Sequence, residues 1–297
     1  MTFTLKISIV ATMVEHRLAD HLSGTRGPSS PPEVLAEAMR YAVLGGGKRL
    51  RPFLLIESAG LFGVKTENVL DAAAALELVH CYSLVHDDLP AMDNDKVRRG
   101  RPTVHVAFDE STAILAGDAL LTLAFEILSR RQTHPDPAVR AELVLGLARA
   151  SGWAGMAGGQ MLDLSAEGKS LSAEQIRHMQ ALKTGALIRY ACEAGAILGG
   201  ANPKARGALA AFGERLGRAF QLADDLLDEH GDPKRLGKNT KKDKAAGKAT
   251  LVNSFGAEKA RIHLKDLEDD AVTALRPFND RAGALIEAAH FVTGRQH

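Results

Sequence analysis

Apolar side chains recur at helical spacing along almost the whole chain, with alanine and leucine dominant, and no segment shows the sustained alternation that marks a strand. A chain patterned this way is expected to be all-α. The periodicity predicts helices at about 4–22, 31–44, 51–62, 67–88, 112–131, 137–157, 173–199, 204–228, 256–275 and 280–292. Several boundaries carry their own signals. Ser30-Pro31-Pro32-Glu33 has the spacing of a capping box, and Gly45-Gly46-Gly47 can end the second helix through positive φ. Asp136-Pro137 and Asn202-Pro203 each set a capping side chain before a first-turn proline. The 297 residues suffice for one large domain or two medium ones, and no linker interrupts the pattern, so a single domain over 1–297 is expected. The longest unpatterned stretch, 229–248, holds seven Lys or Arg against three acids and reads as a functional lid.

Formal charge balances to +1, with 37 basic against 36 acidic residues, so no global field points to a nucleic acid or a membrane surface. No run of eighteen residues is free of charge, and the apolar run Ile7–Val14 is short, so neither a membrane span nor a signal peptide is expected. Cys81 and Cys192 lack metal-ligand spacing and suit the core of a reduced, cytoplasmic protein.

Two acidic clusters depart from this plain helical text. Asp87-Asp88 with Asp93 closes one long apolar helix, and Asp224-Asp225 with Asp228 closes another. Clustered carboxylates repel one another and resist desolvation, so two such clusters call for a positive partner. A divalent cation carrying a phosphorylated ligand fits, because magnesium is commonly held by one or two carboxylates plus substrate phosphates. Asp224 and Asp228, four apart, share a helix face. Asp87 and Asp93, six apart, lie about 240° around a regular helix and converge only if the helix breaks, which Pro90 between them favours. Basic residues gather in three places: Lys48, Arg49 and Arg51; Arg98, Arg99 and Arg101; and 234–248. Their mixture of planar forks and mobile point charges suits diphosphates. A cation-bound diphosphate is a leaving group, which points to chemistry that breaks a carbon–oxygen bond. His80, two turns before Asp87, can line the same cavity or be a hydrogen-bonded core histidine.

Other motifs compete. Gly231 to Lys238 departs from a P-loop, with five residues between its glycines and Asn239 where Ser or Thr belongs. Glu77-Leu78-Val79-His80 and Glu287-Ala288-Ala289-His290 repeat the Glu-x-x-His spacing of di-iron bundles. That rival leaves both aspartate clusters and the arginines unexplained.

Taken in order, Gly46-Gly47-Lys48-Arg49-Leu50-Arg51-Pro52, His80, the first aspartate motif with its Pro-containing insertion, Arg98-Arg99-Gly100, Gly159-Gln160-Met161-Leu162-Asp163-Leu164, Lys183-Thr184-Gly185 and Phe220-Gln221 leading into Asp224 resemble the short-chain trans-isoprenyl diphosphate synthase family almost end to end. Within it the match is best to bacterial enzymes making the fifteen-carbon product. The resemblance implies a helical bundle around a deep central cavity, built as a single polyprenyl synthase domain and usually a homodimer, with the two aspartate motifs facing each other. It implies a magnesium-dependent prenyltransferase, with three ions when diphosphate is bound, that condenses isopentenyl diphosphate head to tail with dimethylallyl and geranyl diphosphate. By motif, Asp87, Asp93 and Asp224 would be the main magnesium ligands, supported by Asp88, Asp225 and Asp228. Arg98, Lys183, Thr184, Gln221, Lys238 and Lys248 would hold the allylic diphosphate, and Lys48, Arg51, His80 and Arg99 isopentenyl diphosphate. Asp87, Asp88, Asp93, Asp224, Arg98 and Lys183 are the expected catalytic set, and the departing diphosphate would take the final proton. Lys241 and Leu251 depart from the family, standing where it usually has a glycine and an aromatic.

In the family, a bulky residue five before the first aspartate limits product length, and here it is Tyr82. It lies roughly 7 to 8 Å along the helix axis from Asp87. A helical wheel instead points Ser83 along the Asp87 face, so both are candidates. Competing readings are a geranyl or geranylgeranyl diphosphate synthase, a terpene cyclase, a non-catalytic partner subunit and the di-iron bundle. Asn253-Ser254 with Glu258 has the wrong spacing for a cyclase's second metal motif.

Overall fold

The computed structural model describes residues 2–23, 31–166, 168–169, 171–230, 251–252 and 256–294, with the backbone alone for 228–230. The described residues are overwhelmingly helical, as the periodicity predicts, and divide into two compact units.

The first unit comprises Met1–Phe53 and Thr66–Val144. Its axis is α4 (Leu70–Asp87), on which α1 (Phe3–Leu22), α2 (Glu33–Val43) and α6 (Glu110–Ser129) pack. The sequence explains this place: Leu70 to Val79 is buried without a break, apolar on every face except for Asp71 and Glu77, each of which meets an arginine, and such a helix belongs inside. α3 (Leu50–Gly60) begins here, and the single turn α5 (Val104–Ala107) precedes α6. Asp109 caps α6 by accepting from the Thr112 N–H at 2.7 Å. α6 is long and apolar enough to cross a membrane, yet its inner face is buried against its neighbours while Ile114 and Leu115 stay exposed. A two-residue antiparallel hairpin, Val97–Arg98 with Arg101–Pro102, qualifies the strand-free expectation. Arg99 and Gly100 both take positive φ, 53° and 73°, which a tight hairpin turn requires.

The second unit comprises Leu54–Lys65 and Leu145–His297. At its centre is α11 (Pro203–His230), against which pack α10 (Ala186–Leu198), α12 (Ala257–Ala274) and α13 (Gly283–Thr293). Asn202 starts α11 by accepting from the Ala205 N–H at 2.9 Å, and Asp136, a residue of the first unit, starts α7 (Pro137–Ser151) through the Ala138 N–H at 2.8 Å, so both expected caps form. α2 begins at Glu33 after Pro32 without a side-chain cap; Ser30 of the expected capping box lies outside the described residues.

Two expected helices are interrupted. The one expected over 137–157 ends at Ser151, and α8 (Met156–Ser165) follows a reversal. Gly155 makes that reversal possible, because a Cβ there would stand 2.2 Å from the Ala150 carbonyl oxygen. The segment expected over 173–199 stays helical but contains a π turn, Ala181–Gly185, between α9 (Ala173–Gln180) and α10.

Candidate active site

In the first unit the site grows from the end of α4. Carboxylates at a helix C-terminus meet the negative end of the helix dipole, so Asp87 and Asp88 sit where acids cost stability. The helix stops there. The Leu89 N–H turns back to the His86 carbonyl at 3.1 Å, and the Asp93 N–H reaches the Asp87 carbonyl at 2.8 Å. This returns Asp93 to Asp87, the convergence that six-residue spacing forbids on an unbroken helix. Pro90 lies inside the returning loop, after the helix has already ended.

Arg98, carried by the hairpin, closes on Asp88. Its Nε stands 2.9 Å from both carboxylate oxygens and its Nη2 2.7 Å from Oδ1. Burial holds the Asp88 carboxyl above its ordinary value, an effect that the Arg98 guanidinium only partly offsets. Asp88 is only 3 % exposed and is fully engaged in orienting Arg98. Arg99 donates to the Gly46 carbonyl and lies against Gly47. Lys48, exposed, and Arg51, partly buried, bracket the buried Arg49. Burial and the charges of Arg51, Arg99, Arg49 and Arg98 hold the His80 pKa well below its ordinary value, so the imidazole is neutral near pH 7 and can donate one hydrogen bond.

Tyr82 stacks edge to face on His86, with centroids 5.6 Å apart. Burial and the Asp87 charge raise its hydroxyl pKa, so it stays a neutral phenol. Ser83 turns its hydroxyl onto the His80 carbonyl at 2.8 Å.

In the second unit the π turn carries Lys183 and Thr184. Lys183 Nζ meets Asp163 Oδ2 at 2.5 Å. α8 comes so close that a Cβ on Gly159 would stand 2.1 Å from the Lys183 nitrogen, which explains a glycine at that position of α8. The Thr184 hydroxyl donates to Gln221 Oε1 at 2.9 Å, and Gln221 Nε2 donates to Asp225 Oδ1 at 3.0 Å. Gln180 Nε2 takes the other oxygen of Asp225 at 3.0 Å. Asp225, 5 % exposed, is thus held by two amides, while Asp224 beside it is more accessible. The side chain of Asp228, and Lys238, Lys241 and Lys248, lie outside the described residues; Leu251 is buried.

Sequence reasoning missed Gln180, missed Asp163 as the partner of Lys183, and named Arg49 and Glu77 without pairing them. Asp163 stood in the Gly159–Leu164 motif, Arg49 in the Gly46–Pro52 motif and Glu77 in a Glu-x-x-His pair, while Gln180 carried no signal. Glu77, weighed for iron, gives its carboxylate to Arg49 at 2.7 Å, and His290 pairs with Glu268 at 2.9 Å. Among the described residues no three His, Cys, Asp or Glu side chains converge as a ready-made metal cluster. Carboxylates arriving in pairs instead suit magnesium, whose remaining positions go to phosphate and water. Burial pushes both cysteine thiols to about 12, which makes them inert core residues, as expected.

Helices bearing aspartate pairs beside clustered arginines define a class of all-α enzymes. Residues 32–274 match the family described as polyprenyl synthetase, and the chain belongs to that family. It is 49% identical over 269 residues to the farnesyl diphosphate synthase of Escherichia coli (strain K12), covering 88% of this chain and 89% of that protein. Among solved structures, an FPP/GFPP synthase from Zymomonas mobilis superposes with a TM-score of 0.88 at 44% identity, covering 98% of each chain. A geranyltransferase from Helicobacter pylori, complexed with magnesium and isoprenyl diphosphate, gives a TM-score of 0.83 at 31% identity, covering 99% of this chain and 97% of that one.

Proposed function

We propose that the protein is a farnesyl diphosphate synthase, a prenyltransferase that adds isopentenyl diphosphate head to tail onto dimethylallyl and then geranyl diphosphate. The observation that carries this reading is the return of Asp93 onto Asp87 beside an arginine hairpin, a pair of carboxylates next to fixed diphosphate donors. The family match spans both compact units, which supports reading 1–297 as one polyprenyl synthase domain.

Asp87, Asp93 and Asp224 hold magnesium in this reading, with Asp88, Asp225 and Asp228 in support; three ions accompany a bound diphosphate. When bound, magnesium supplies the positive charge that offsets the carboxylates and stabilises a departing diphosphate. Arg98, fixed by Asp88, and Lys183, Thr184 and Gln221 on the π turn and α11 grip the allylic diphosphate, with Lys238 and Lys248. Lys48, Arg51 and Arg99 hold isopentenyl diphosphate, and neutral His80 donates to it. Departure of the allylic diphosphate breaks its carbon–oxygen bond and leaves an allylic cation. The isopentenyl double bond attacks that cation to form the new carbon–carbon bond, and the released diphosphate removes the proton that restores a double bond. Tyr82, with Ser83 beside it, limits the chain at fifteen carbons. The outer face of α6, with Ile114 and Leu115 exposed, supports a homodimer. The buried free thiols Cys81 and Cys192 support a cytoplasmic setting.

Incubation with magnesium, isopentenyl diphosphate and allylic diphosphates of five, ten and fifteen carbons tests the reading. The expected product from the first two is farnesyl diphosphate, with little elongation of the third. Absence of chain elongation sinks the reading, and twenty-carbon product from all three replaces it with geranylgeranyl diphosphate synthesis.

A further inference from the structure

Arg49 and Glu77 bind nothing in the reaction just described, yet they are the most completely buried ion pair around the basic loop. Each is 2 % exposed. Arg49 Nη1 donates to Glu77 Oε1 at 2.7 Å on α4, and Nη2 donates to Glu15 Oε1 at 3.1 Å on α1 and to the Val43 carbonyl at 2.6 Å at the end of α2. One guanidinium therefore fastens the 45–49 loop to three helices. The backbone of Arg49 is left-handed, with φ 48°, a conformation that a non-glycine residue keeps only when its surroundings fix it. That turn sends Arg49 inward, leaves Lys48 exposed on one side and starts α3 with Arg51 on the other. His80 follows Glu77 by three residues on α4, so one ion pair sets both the loop carrying Lys48 and Arg51 and the helical turn carrying His80.

Stability alone does not explain the pair. A buried ion pair is commonly replaceable by apolar side chains of similar volume at little or no cost, because desolvation consumes its attraction. What apolar side chains cannot supply is a directed tie from the loop to named atoms on three helices.

We propose that Arg49 and Glu77 are positioning residues for isopentenyl diphosphate, holding Lys48, Arg51 and His80 at the spacing its diphosphate requires without touching it. This rests on the assignment of those three residues to isopentenyl diphosphate made above. The test compares the unaltered protein with Arg49→Met/Glu77→Met, which keeps volume and removes both charges together. Two readouts are used: KM for each substrate, and calorimetric titration of isopentenyl diphosphate alone, without turnover. Circular dichroism and thermal melting check folding.

The double variant is expected to weaken isopentenyl diphosphate binding by about tenfold or more, the value of one charge-assisted hydrogen bond. The allylic KM should stay within about twofold, less than any single hydrogen bond is worth. Arg49→Lys, which keeps the charge but not the fork, should recover part of the loss. Should the double variant fail to fold, Glu77→Gln carries the same comparison, since it keeps the shape and loses only the charge. A folded variant with unchanged isopentenyl diphosphate affinity overturns the proposal, as does an equal rise in both KM values. If the unaltered protein neither binds nor consumes isopentenyl diphosphate, the site assignment falls and takes this inference with it.

Discussion

Tyr82 stands five residues before Asp87 on α4, its ring against His86 and its hydroxyl within the field of the Asp87 carboxylate. The helical wheel favours Ser83 as the residue in line with Asp87, but the two differ in what they can block. Ser83 is small and spends its hydroxyl on its own helix at the His80 carbonyl. Tyr82 presents a rigid ring braced by a second ring, and a growing hydrocarbon chain is stopped by volume. Tyr82→Ala should therefore raise the ratio of twenty-carbon to fifteen-carbon product by about tenfold or more, the scale on which pocket volume discriminates. Ser83→Ala should leave it nearly unchanged. Product chromatography with geranyl and farnesyl diphosphates as allylic substrates reads both, and unchanged product length in Tyr82→Ala would remove Tyr82 as the stop.

At the scale of elements, the tie between α1 and α4 has a pH signature. Asp71, in the first turn of α4, receives Arg17 Nη1 at 2.7 Å and stands 2.9 Å from His21 Nε2. The hydrogen bond from His21 lowers the Asp71 pKa below its ordinary 3.8, burial opposes this, and Arg17 adds to the lowering. A carboxyl whose folded pKa is depressed contributes stability above its unfolded pKa and loses it as pH falls through the folded value. Asp71→Asn should cost about 1–3 kcal/mol at neutral pH. In acid, below 3.8, the gap to the unaltered protein should close as Asp71 itself protonates. Urea unfolding from pH 7 down to acid measures this, and a gap independent of pH would show that Asp71 acts through packing alone. The helices themselves were legible because periodicity and caps such as Asn202 are local signals. The breaks were less so. Gly155 interrupts an alanine- and leucine-rich run that still reads as helix, and the π turn at Lys183 changes no residue type. The Arg49–Glu77 pair joins positions 28 residues apart, so spacing along the chain carries no trace of it.

For the molecule as a whole, the aspartate clusters announced themselves because acids at helix ends are unfavourable unless something uses them. A supporting residue such as Gln180 did not, since it looks like ordinary helix surface until the fold shows that it touches Asp225. The same contrast applies to α6. Its composition suffices for a membrane span, but its inner face is spent on α4 and α2, and its outer face exposes Leu115 at 57 % and Ile114 at 45 %. With net charge at +1 there is little long-range repulsion between copies to oppose association through that face. An exposed apolar face suits a two-fold dimer, in which each copy contributes the same side chains. Leu115→Glu places a charge in that contact and should weaken association by about thirtyfold or more, matching the ~2 kcal/mol of a buried anchor. Folding should be unaffected, because Leu115 makes no part of the protomer core. Sedimentation equilibrium across a concentration series gives the result: dimer for the unaltered protein and a shift toward monomer for the variant. A monomeric unaltered protein, or a variant that dimerises as tightly, would reassign the exposed face of α6 to some other contact.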